Sequence, residues 1–205
     1  MHCPGMGAIR NLPELPSNHA YRIVLGIDPG THAMGYGAIV IHDAGPRLLA
    51  AGTLIAPRSQ PIAKRLGSLK IELEEVLRRL QPIQVVVEKA FLAKNVLSAL
   101  RIGEGRGVAM ACASAMGAEV AELTAVEAKR ALVGTGAASK HQVRRMVGET
   151  LGLEQEIESL DTSDALALAL AWHLRNRNGA VRAPIRAAKH ASAGGETASL
   201  RSSEE

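Results

Sequence analysis

Residues 24–40 read VLGIDPGTHAMGYGAIV. An apolar run ends in a carboxylate, Asp28; Pro29 and Gly30 break the chain, and after PGTHA a second apolar run begins. Two strands joined by so short a turn form a hairpin, so the fold opens antiparallel. A strand bound for burial pays heavily for an acid at its tip unless turn amides or a cation satisfy the carboxylate. A Rossmann dinucleotide site is excluded, because the turn leads into a strand and not a helix.

Outward from this hairpin, RLLAAGTLIA reads as a third strand, and residues 61–80 carry apolar positions at helical spacing, with Pro61 suited to the helix start. PIQVVVE is short and β-branched, a fourth strand ending at Glu88. Residues 95–116 form a helix pattern weakened by Gly103, Gly105 and Gly107. AEVAEL is a fifth strand; TAVEAKRALVG has the Thr124/Glu127 capping-box signature and stops at Gly134. A helix runs from Ser139 to about Leu151, and Asp161 opens the last one, DALALALAWHLR, with Asp161 in the N-cap role in its plainest reading. This order predicts an α/β protein: a mixed five-stranded sheet with helices on its faces. Residues 1–20 read as a flexible extension, 21–177 as one domain, and 178–205, rich in Gly, Ala and Ser, as a disordered tail.

The chain has 205 residues, a net charge of +4 and only one Phe and one Trp, so its core is aliphatic and its balance suits a polyanionic partner. Two distant cysteines, Cys3 and Cys112, give neither zinc spacing nor a disulfide framework and point to a reducing, cytoplasmic setting. No run approaches the roughly 20 apolar residues of a membrane span, and the first 20 do not read as a secretory signal.

Two apolar strands thus end in acids, Asp28 and Glu88. If both strands are central and parallel, these ends meet at one sheet edge. Asp161 and Asp164 share a face at the start of a helix otherwise small or apolar, which must pack on the sheet and carry them toward the first two. Singly, each acid has an ordinary reading as turn acid, strand terminus or helix cap. Together, four converging carboxylates call for divalent cations, which favour hard oxygen ligands; two ions about 4 Å apart can activate water and stabilise a leaving phosphodiester oxygen.

The stretches LGIDPGTHAMGYG, VVVEKAFLAKNVLSALRIGEGRGVAM, VEAKRALVGTGAASKHQV and DTSDALALALAWH resemble, in order and spacing, the RuvC family of Holliday-junction resolvases, over roughly residues 22–175. The resemblance implies a ribonuclease-H-like fold, a homodimer, a four-way DNA junction as substrate, symmetric paired nicks dependent on Mg²⁺ (with Mn²⁺ able to substitute), and a branch-migration motor as partner. It places the four metal ligands on Asp28, Glu88, Asp161 and Asp164, a junction-contacting aromatic on Phe91, and basic contacts on Lys129 and Lys140. On their own terms, the lone Phe91 in KAFLAKN is placed for base stacking, Lys94 flanks it, and Arg106 lies among glycines that let backbone approach a partner closely. His32 and His173 have no ligand-spaced partner and read as surface or satisfied histidines. Three alternatives stand beside the resolvase. One is a nuclease of the same fold acting on RNA or single strands. The second is an actin- or sugar-kinase-type ATPase, for which the chain is short and lacks a second Gly-rich nucleotide turn. The third, a non-catalytic nucleic-acid scaffold, fits poorly with four acids present.

Overall fold

The computed structural model describes residues 22–89 and 96–177. Three strands, β1 (Arg22–Asp28), β2 (Ala33–His42) and β3 (Gly45–Ile55), form the antiparallel start. Then follow α1 (Ile62–Leu80), β4 (Gln84–Glu88), α2 (Val96–Ala115), β5 (Glu119–Leu123), α3 (Ala125–Val133), α4 (Lys140–Leu151) and α5 (Leu160–Asn176). The five strands form one sheet in the order β3-β2-β1-β4-β5, with β1, β4 and β5 parallel. Every expected element is present. Despite its three glycines α2 is unbroken, because its buried face (Gly105, Ala109, Cys112, Ala113) is held by packing and not by intrinsic propensity. No helix of the described residues is long and apolar enough to cross a membrane.

Strand alternation divides the core. Ile23, Leu25 and Ile27 of β1, with Met34 and Tyr36 of β2, face α1 and α2. Val24 and Val86 face α3, α4 and α5. On this second side lies the feature that positions everything else: β1 and β2 bring Gly26 and Gly37 opposite one another, with Gly35 two residues along. A Cβ on Gly26 would come within 1.9 Å of the Ala165 carbonyl oxygen, and one on Gly35 within 2.2 Å of the Asp161 carbonyl oxygen. The missing side chains make a trough into which the backbone of α5 sinks. The helix suits it: Ala165 through Ala171 are buried without a break, alternating small Ala with Leu. Gly26, Gly35 and Gly37 of GIDPGTHAMGYG therefore serve helix–sheet contact.

Not every glycine is so constrained. Gly67, within α1, has open space where a Cβ would stand. Gly67→Ala is expected to raise the unfolding free energy by about 0.5–1 kcal/mol, measured by urea denaturation; a loss would show that α1 needs the glycine.

Candidate active site

Alternation carries past the ends of the strands. Asp28 shares the α5-facing side with Gly26, and Glu88 shares it with Val86. Because β1 and β4 are parallel with Ile27 beside Val87, the two acids emerge side by side. Asp28 also lies opposite Gly35, against which the Asp161 backbone rests. The trough that seats α5 thereby delivers its first turn, with Asp161 and then Asp164, over the same edge.

The electrostatics follow. The Asp28 carboxyl is pushed up to about 8, first by burial, then by its hydrogen bond to Glu88 and by the charges of Glu88, Asp164 and Asp161. A hydrogen bond between two carboxyl groups needs a proton, and burial places it on Asp28, which donates to Glu88. Asp164 accepts from Lys140 Nζ at 2.9 Å. All four acids thus act on one locus. As arranged, no three His, Cys, Asp or Glu side chains of the described residues stand close enough to hold a metal ion; a shared proton and an ammonium supply positive charge instead. The donor set, all hard carboxylate oxygens with unmet negative charge, fits a divalent cation such as Mg²⁺. The fit is in chemistry and charge, and the side chains must draw together to complete it.

The N-cap of α5 is Ser159, whose Oγ accepts from the Thr162 amide, and Asp161 lies in the first turn. This corrects the capping role expected of Asp161: a serine two residues earlier meets the orphan amide and leaves the carboxylate available. Thr53 of β3 shares hydrogen bonds with Ser159 Oγ at 3.1 Å and Thr162 Oγ1 at 3.3 Å, tying the acid-bearing turn to the sheet. Sequence reading missed these hydroxyls, since a Thr in a strand carries no sign of a partner a hundred residues away. His32 proves satisfied: its Nδ1–H donates to the Ala56 carbonyl at 2.5 Å while the Ala56 amide donates to the His32 carbonyl at 2.8 Å, fastening the turn after Asp28 to the end of β3.

The expected DNA-contacting residues disperse. Lys140 is exposed at the rim of the acid cluster, and Lys129 lies half-buried on α3. Arg106 is on α2, across the sheet from the acids, ion-paired with Glu122 of β5. Its neighbour Gly105 lets α2 approach the Gly30 carbonyl oxygen, at 2.7 Å from a Cβ placed there, so this glycine serves packing against the turn. Phe91 and Lys94 lie outside the described residues.

An antiparallel meander continued by two parallel strands, its acids gathered where β1, β4 and α5 meet, is the ribonuclease-H-like architecture, shared with resolvases among solved structures. Thermus thermophilus RuvC in complex with Holliday junction substrate matches with a TM-score of 0.72 and 32% identity, over 76% of this chain and 95% of that one. The yeast mitochondrial resolvase Ydc2 matches in fold alone, with a TM-score of 0.56 at 15% identity, over 81% of this chain and 83% of that one. The chain belongs to the RuvC family: the family model for crossover junction endodeoxyribonuclease RuvC matches residues 24–172. A relative of that name from Syntrophotalea carbinolica is 46% identical over 149 residues, 72% of this chain and 91% of the relative. One from Chromohalobacter salexigens is 39% identical over 164 residues, 80% of this chain and 87% of the relative.

Proposed function

We propose that this chain resolves four-way DNA junctions as a homodimer, making symmetric paired nicks by hydrolysis during recombination and repair in the cytoplasm, with a branch-migration motor as partner. The chemistry belongs to residues 21–177. The observation that carries the reading is the half-buried Asp28 carboxyl facing Glu88, Asp161 and Asp164, pushed up to about 8 by burial and by their combined charge.

Asp28, Glu88, Asp161 and Asp164 would hold Mg²⁺. When bound, the metal would supply a water nucleophile at neutral pH and stabilisation of the leaving oxygen. Asp28, on which the charges of the other three acids act, would surrender its proton and orient the other ligands. Thr53, Ser159 and His32 hold the two acid-bearing segments in register through the hydrogen bonds described above. Lys140, at the first turn of α4, meets a phosphate together with the free amides of that turn. Lys129 adds positive charge, and Phe91 and Lys94 would meet bases and backbone beside the nick. A dimer is supported by the family and by Val96, Leu97 and Leu100, apolar side chains exposed on the first turns of α2.

The test is to offer the pure protein labelled four-way junction, linear duplex and RNA–DNA hybrid, each with Mg²⁺ and with chelator. Paired symmetric cuts in the junction alone, only with metal, are expected. Preferential cutting of the hybrid would replace this reading with that of a nuclease of other substrate.

A further inference from the structure

The Lys140–Asp164 pair is oddly built for a structural ion pair. Lys140 is the first residue of α4, where the positive end of the helix dipole disfavours a cation. The first turn of α4 contains no acid, and Gln142 completes its capping box where Glu127 does so in α3. The opposing charge comes from α5 instead: the Lys140 ammonium is held by Asp164 foremost, then by the fields of Asp28 and Asp161. The lysine side chain is 58% exposed and Asp164 30%, so the contact lies at the mouth of the cluster and can open without unpacking anything.

The geometry points to Lys140 as a built-in competitor of the metal: its ammonium occupies the Asp164 carboxylate until a divalent ion takes that oxygen, and the released arm then turns to the phosphate. This deepens the proposed function and rests on its reading of the four acids as metal ligands. Ion and ammonium compete for Asp164 Oδ2, since like charges a few ångströms apart repel. Metal binding thereby frees a phosphate-binding cation in the same event, and the protein avoids presenting four bare carboxylates to DNA before metal arrives.

The test reads metal binding alone, without DNA or cleavage: Mn²⁺ titrated by electron paramagnetic resonance into the full chain, its Lys140→Gln, Lys140→Arg, Arg145→Gln and Asp28→Asn variants, with circular dichroism confirming the fold. Lys140→Gln is expected to bind Mn²⁺ about three- to ten-fold more tightly than wild type, the gain shrinking in high salt. Lys140→Arg, which keeps the charge, and Arg145→Gln, which removes an exposed charge paired with Glu149 on the same helix, are expected to bind as wild type does. Unchanged or weaker binding by Lys140→Gln overturns the proposal, as does equal tightening by Lys140→Arg or Arg145→Gln. If wild type binds no better than Asp28→Asn, the metal-ligand reading fails, and this proposal with it.

Discussion

Asp28→Asn is expected to lower junction cleavage about 1,000-fold or more at saturating Mg²⁺, while junction affinity measured in chelator stays near wild type. The side chain lies where β1 ends, half-buried, under the charges of the other three acids. An amide there keeps the shape but removes the carboxylate that the proposed metal site requires. Metal-assisted hydrolysis draws several kcal/mol of transition-state stabilisation from its ions, and each 1.36 kcal/mol is about tenfold in rate. Single-turnover cleavage of labelled junction measures the first part and gel retardation the second; a variant cutting at wild-type rate would remove Asp28 from the ligand set.

The same substitution has a stability signature. The folded-state pKa of Asp28 is raised from 3.8 to about 8, so the folded protein holds a proton that the unfolded chain releases. This group's contribution is fully favourable below the unfolded value and is lost as pH rises toward 8. In metal-free buffer at pH 8 the Asn variant is therefore expected to be the more stable, by on the order of a few kcal/mol, the gap narrowing toward pH 5. Added Mg²⁺ should stabilise wild type and not the variant. Thermal unfolding at the two pH values reads both.

Gly26→Ala is expected to be strongly damaging. Its Cβ would stand 1.9 Å from the Ala165 carbonyl oxygen and 3.0 Å from the Ala169 amide nitrogen, both backbone atoms of a buried helix with nowhere to retreat. Either α5 lifts from the sheet or β1 bends, and each opens the second core. Overpacking of a rigid site costs about 1–3 kcal/mol and more where backbone must move; about 3 kcal/mol corresponds to a fall in Tm of roughly 6–12 °C for a domain of this size. Displacing α5 also carries Asp161 and Asp164 away from Asp28, so cleavage by the fraction still folded should fall as well. A variant with wild-type Tm and activity would mean that the trough is not needed to seat the helix.

Much of this was legible in the chain. Strand ends at Asp28 and Glu88 follow from apolar runs punctuated by turn residues, and the capping boxes of α3 and α4 from local hydrogen bonding that needs no tertiary context. The Ser159 cap was not, because Ser159 and Asp161 are both good caps and only the direction from which the chain enters α5 selects between them. Nor was the position of Arg106: the glycines around it are equally consistent with DNA approach and helix packing, and only the contact of Gly105 with the turn distinguishes them.

Local chemistry in the sequence determines which residues carry charge, where strands and helices begin, and that two strands end and one helix opens in acids, because periodicity, turn propensity and capping act over a few residues. Convergence of those acids was decided in three dimensions. It depends on the parallel pairing of β1 with β4 and on a glycine-floored trough whose depth is set by helix backbone 126 to 139 residues away along the chain. That the lysine opening α4 grips the acid of α5 could likewise emerge only once packing set two remote helix starts face to face.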